Sequence, residues 1–300
     1  MPRFGLCCMF REQPIKFRTT TATSIGKMDR SKALEKIDNL CMQNAESLML
    51  ALQFCNQNGI GSFRVNSQIL PIKTHPEYGY AIKDLPNGNE IVNQFIKCGE
   101  FAKQNDIRTC FHPDQFVVLN SPKEDVVKAS IRELEYQAEV SEWINADVIN
   151  IHGGGVYGNK TEALKDFIQN FKSLSQSVKD RLTIENDDKS YTPEDLLPVC
   201  HKINIPLVYD VHHHRCNKDI YSLKEATEKA KETWNREPLF HISSPIDGWQ
   251  GRKPERHHDF IDFKDFPECW NVSNLTVEIE AKAKEIAVLQ IRKQLSYECY

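Results

Sequence analysis

The chain has 300 residues, 40% of them hydrophobic and 27% charged, with a formal net charge of −4. No run approaches the ~18 apolar residues that a membrane helix needs, and the opening MPRFGLCCMFREQ has no apolar core of signal-peptide length. These features exclude a membrane span, argue against a chain that coats nucleic acid by bulk charge, and lead to the expectation of a cytoplasmic protein.

Eight strand-like runs follow one another at 2–8, 61–66, 108–113, 147–153, 181–186, 206–213, 238–243 and 275–282. They are short, rich in Val, Ile and Phe, and continuously apolar, as parallel strands covered on both faces are. Helical spacing fills the intervals at 31–59, 88–106, 122–146, 161–180, 192–203, 222–234 and 283–299. The first of these is long enough for two helices and stops at Gly59. TPED and SPKED read as helix starts, with a capping hydroxyl, then Pro at the first helical position. The stretch 243–274 is rich in Pro, Gly, aromatics and charge, and a loop of that length in a compact domain is usually functional.

This rhythm predicts an α/β fold, a TIM (β/α)8 barrel in a single domain over 1–300, with strand ends near 8, 66, 113, 153, 186, 213, 243 and 282. An open doubly wound sheet is the alternative. Six of the apolar runs end on a metal-ligand residue: His112, His152, Glu185, Asp210, His241 and Glu280, at steps of 40, 33, 25, 31 and 39 positions. Each step is about one strand plus one crossover helix. A barrel gathers all six on one rim, whereas an open sheet would spread them too far apart to share a cluster.

Three His, two Glu and one Asp with no thiolate suit Zn²⁺ or Mn²⁺, and Glu185 and Glu280 are natural bridges between two ions. Three such ions would bring the formal charge to +2. DVHHHRCN adds His212, His213 and His214. Strand alternation pairs Asp210 with His212, a turn cancels that rule, and spacing alone does not select the ligand. The ten cysteines, from Cys7 to Cys299, have no CxxC spacing and read as thiols in a reducing compartment. GGG at 153–155 permits close backbone approach and is not a dinucleotide fingerprint.

The motifs THP, FHPDQF, IHGGGVYG, IENDD, YDVHHH, HIS, HHDF and EIEAKAKE occur in an order that resembles the UV damage endonucleases, TIM-barrel repair enzymes related to endonuclease IV. The similarity runs from residue 63 to residue 285. It implies up to three Mn²⁺ ions, with Zn²⁺ or Mg²⁺ as alternatives, and double-stranded DNA containing lesions as the partner of a monomer. It also implies incision immediately 5′ of a UV photolesion, or of an abasic site, leaving a 3′-hydroxyl and a 5′-phosphate. The ligands it implies are His112, His152, Glu185, Asp210, His213, His241, Glu280 and one of His257 or His258. Glu185, Glu280 and His75 would act in catalysis. Gln115 matches a residue that probes the damaged pair, Phe116 would wedge beside it, and Arg64 and Lys73 would contact DNA, as would the run 252–256. Leu6 stands where the family has a tyrosine, and Leu239 where some members have a lysine. The rival readings are a sugar isomerase on the same barrel and a damage-binding protein without catalysis.

Overall fold

In the computed structural model, which describes residues 1–297, eight parallel strands form one sheet in the order β6-β5-β4-β3-β2-β1-β8-β7. They are β1 Arg3–Cys7, β2 Ser62–Val65, β3 Arg108–Phe111, β4 Val148–His152, β5 Leu182–Glu185, β6 Leu207–Val208, β7 Leu239–Ile242 and β8 Thr276–Ile279. β6 and β7 are the ends of that order, and a parallel bridge between Asp210 and His241 joins them and closes the barrel. The closing contact thus consists of two residues predicted as ligands.

Alternation along each strand sorts side chains between two environments. Leu6, Phe63, Phe111, Ile151, Ile184, Phe240, Ile242 and Val277 belong to the main core, together with apolar residues of the surrounding helices. Cys110, Val148, Val208 and Leu239 form a separate small cluster against Trp234. Leu239 therefore belongs to an apolar plug and supplies no polar group. Gly5 has a specific reason to be glycine: a Cβ there would lie 3.0 Å from Glu278 Cγ.

Three local expectations change. The helix expected over 161–180 is two, Lys160–Phe171 and Gln176–Lys179, because Ser175 caps a new start, whereas Arg30–Gln57 is a single helix that ends before Gly59 at φ +63°. The helix predicted from Pro122 begins at Glu124, because Ser121 Oγ accepts from the Lys123 amide at 3.2 Å and leaves the proline in the preceding turn. The sixth strand stops at Val208 rather than near 213, because Asp210 caps a helix, Val211–Cys216. Thr192 and Pro193 open the helix Pro193–Ile203 as expected, with a capping box closed by Asp195. The last helix is Glu285–Tyr297; its predicted end at 299, and Cys299 with it, lie outside the described residues. The nine other cysteines are free thiols, and no described helix is long and apolar enough to cross a membrane.

Candidate metal centre

The C-terminal ends of the strands and the turns after them deliver the polar residues. His152 and Glu185 end β4 and β5, His241 lies in β7, and His112 and Glu280 follow β3 and β8. Asp210 accepts the His213 amide at 2.7 Å as the cap of its short helix. One helical turn then puts Asp210 and His213 on the same side, and the triple histidine divides. His213 faces Glu185, His212 sets its ring 5.1 Å from Trp249, and His214 is held by Tyr209 and Asp219 at 2.7 and 2.9 Å.

Three overlapping sets of donor atoms lie within 4.8 Å of one another: His112, His152 and Glu185; His112, His241 and Glu280; Glu185, Asp210 and His213. Glu185 has an oxygen 3.0 Å from His112 Nε2, and its other oxygen lies 3.1 Å from His241 Nδ1 and 3.4 Å from His213 Nδ1. Glu280 approaches His241 Nδ1 at 3.5 Å and His257 Nδ1 at 3.8 Å. His112 Nδ1 faces the carbonyl of Pro113 at 3.1 Å and His213 Nδ1 that of Asn186 at 3.0 Å. Such partners fix the ring and the tautomer, leaving Nε2 as the donor.

Four buried atoms of this cluster make no well-aligned hydrogen bond: His152 Nδ1, Asp210 Oδ2, and the pair Glu185 Oε1 and His241 Nδ1, which face each other at 3.1 Å. Buried polar atoms are rarely left so, and four of them spread over three overlapping donor sets call for missing ligands. With imidazole and carboxylate donors only, the residues fit divalent cations of the manganese or zinc type.

The two carboxylates and His152 agree with that fit, whereas His241 would have to give up a proton to act as a ligand. Burial raises the Glu185 and Glu280 carboxyls, but His241 beside the first, and Arg64 and His241 beside the second, hold both well below the usual carboxylate range. Burial pushes His152 down, which keeps its imidazole neutral and able to donate. His241 is lowered by burial and by Arg64, but Glu185 and Glu280 prevail and hold it up at about 10. Chelating the bound cations should therefore lower the melting temperature, because these carboxylates then face one another without them. Restoring ions to a hundredfold over their Kd should recover ~2.7 kcal/mol per site. An identical melting curve with and without chelator would count against a metal centre.

Beneath the donors lies a residue that strand ends alone did not reveal. Glu278, two positions before Glu280 and on the same face, is 3.1 Å from His241 Nε2 and 2.9 Å from Cys110 Sγ. Arg64 was expected at DNA but is only 8% exposed, and its guanidinium binds Glu278 and Glu280. Lys73 is likewise committed, to Glu139 at 3.3 Å and the Tyr80 carbonyl at 3.0 Å. His75 is not brought to the cluster: it lines a cleft with Lys73, Thr74 and Arg132, and its Nδ1 accepts the amides of Glu77 and Tyr78. His257 stands at the cluster, whereas His258 Nδ1 is engaged with the backbone of Phe260.

Above the donors opens a cleft of about 800 Å³. His152, His213, His257 and Glu280 line it, and so do Gln115, Phe116 and Tyr157. Phe116 is 75% exposed, not barrel core, and Tyr157 is 51% exposed. Tyr157 escaped the sequence reading, although it lies in the same HGGGVYG motif as His152. Its loop is fastened by Asn120, which donates to the carbonyls of Gly153 and Gly155, both at 2.8 Å. Gly154, at φ +84°, has no room for a Cβ beside Asn120.

A family model described as UV-endonuclease UvdE matches residues 2–299. A UV DNA damage endonuclease of Bacillus cereus (strain 03BB102) is 33% identical over 295 residues, covering 93% of this chain and 89% of that protein. Another, from Bacillus cereus (strain ATCC 10987 / NRS 248), is 34% identical over 291 residues with the same coverage. Among solved structures, that of SacUVDE superposes with a TM-score of 0.87 at 30% identity, over 99% of each chain. Endonuclease IV from Thermus thermophilus gives 0.64 at 13% identity, over 99% of this chain and 100% of that one, which is a likeness of fold.

Proposed function

The chain belongs to the UV-endonuclease UvdE family, and from that premise we propose that it hydrolyses the phosphodiester immediately 5′ of a UV photolesion, or of an abasic site, in double-stranded DNA. The products are a 3′-hydroxyl and a 5′-phosphate, and the cofactor is up to three Mn²⁺ ions, with Zn²⁺ or Mg²⁺ as alternatives. The protein acts as a cytoplasmic monomer. One observation carries the reading: three donor sets, linked pairwise through His112 and Glu185, lie at the floor of a cleft that has an exposed phenylalanine on its wall.

When bound, such ions supply Lewis acidity at the phosphate and a nucleophile at neutral pH. The protein's own part is to hold and to orient. Glu185 and Glu280 keep their charge; Glu185 links two of the donor sets and Glu280 belongs to the third. Neutral His152 donates a lone pair, and Asn186 fixes Asp210 by binding its backbone N–H and C=O at 3.0 and 2.9 Å. Phe116 offers a ring face to an unstacked base, a contact worth about 1–3 kcal/mol. Gln115 beside it offers an amide to a base edge.

The test uses purified protein in Mn²⁺ with duplexes carrying a pyrimidine dimer, a 6-4 photoproduct or an abasic site. A single nick 5′ of at least one of these lesions is expected, with an end that a polymerase extends, and chelator should abolish it. Absence of a nick on all three, together with ketose formation from an aldose, would favour the sugar isomerase. Tight lesion binding without a nick would favour the damage-binding protein.

A further inference from the structure

We propose that a second cleft beside the metal centre is a phosphate seat for the strand 5′ of the scissile bond, formed by Arg256, Lys282 and Lys284. The inference rests on the incision reading above and adds the path and polarity of the DNA. The cleft has a volume of about 360 Å³, and its walls include those three cations together with Glu280 and His257. Glu280 and His257 also line the aromatic cleft, so the two clefts meet at the metal donors.

Arg64, at the base of the smaller cleft, is neutralised by Glu278 and Glu280. Arg256, Lys282 and Lys284 are different. Among the described residues, none of their side chains makes an ion pair or a hydrogen bond. Arg256 and Lys282 are exposed and Lys284 is half-buried. Three unpaired cations in one concavity, on a chain of net charge −4, make a local positive site against the overall sign.

The chemistry of the two clefts differs in the way that a nucleic-acid strand requires. Phosphates are held by cations and carry register, whereas exposed bases are held by ring faces. A strand crossing the metal centre would leave bases against Phe116 and Tyr157 on one side and backbone against Arg256, Lys282 and Lys284 on the other. If the cut falls 5′ of the lesion, the lesion occupies the aromatic cleft, and the cationic cleft receives the 5′ strand.

The experiment is a binding cycle on a lesion duplex already nicked at the incision site, so that affinity is read without any need for cleavage. Wild type is compared with Arg256→Ala/Lys282→Ala, both substitutions being of exposed side chains, with the melting temperature as the folding control. The variant should bind about tenfold more weakly, and the slope of log affinity against log salt should fall by about 2. A neutral methylphosphonate at the first phosphate 5′ of the nick should weaken wild type similarly and add little to the variant. The same group 3′ of the nick should weaken both proteins equally. Full additivity at the 5′ position, or coupling at the 3′ position instead, overturns the seat. Loss of the incision reading would appear separately, as failure of wild type to cut the intact duplex.

Discussion

Glu185→Gln should reduce incision of a lesion duplex by roughly a thousandfold or more, while affinity for that duplex stays within about threefold. The magnitude follows from losing several kcal/mol of charge stabilisation at the phosphate, each 1.36 kcal/mol being a factor of about ten. Glu185 is fully buried and belongs to two of the three donor sets, so one substitution weakens both. Gln conserves the volume and still offers an oxygen to the Asn150 amide, which donates to this carboxylate. The loss is then of charge rather than of fold. The surfaces assigned to DNA, at Phe116 and at Arg256 and Lys282, are remote in chemistry from that carboxylate. Glu280→Gln removes a member of only one set, and a smaller loss is expected. Incision assays paired with metal analysis of each variant check both statements. A Glu185→Gln protein with full metal content and wild-type rate would sink the assignment.

Much of this centre was legible because a parallel barrel strand is largely apolar on both faces, so a polar residue that closes an apolar run stands out. His112, His152, Glu185, His241 and Glu280 stood out for that reason. Asp210 and His213 did not pair from strand alternation, because β6 has two residues and the Asp210 cap turns the chain into a helix. That competition between a strand pattern and a local side-chain cap is not resolved by spacing. Glu278 was hidden in VEIEAK, where alternation puts it on the same face as Glu280. Nothing local distinguishes the carboxylate at the donor level from the one beneath it. Residue type alone makes Arg64 and Lys73 look like DNA contacts. Their carboxylate partners, Glu278 and Glu139, lie 214 and 66 positions away in the chain, so the pairing that removes these cations from the DNA surface exists only in the folded barrel. The cations left unpaired, Arg256, Lys282 and Lys284, come from the turns after β7 and β8, and they flank the donors rather than preceding them.

Arg64→Met should destabilise the metal-free protein by about 3–5 kcal/mol, the usual cost of stranding one partner of a buried ion pair. Glu278 is 1% exposed, and it would keep only His241 and Cys110 as polar neighbours. At present burial raises its carboxyl, but Arg64 and then His241 outweigh burial and hold it at about 2. Because that value is below the unfolded carboxyl's, about 4.3, the pair's stabilisation is present above that pH and is lost as pH falls towards 2. Without Arg64 the desolvation of Glu278 prevails, its carboxyl rises above the unfolded value, and the sign reverses. The variant should then lose less stability at pH 5 than at pH 7. Adding Glu278→Met should recover most of the loss, since an apolar pair of similar volume is often neutral or better in such a place. Urea denaturation in chelator at both pH values measures all four quantities. A double variant no more stable than Arg64→Met would mean that the guanidinium is needed for Glu280, which it also binds, and that the buried charge of Glu278 is not the source of the cost.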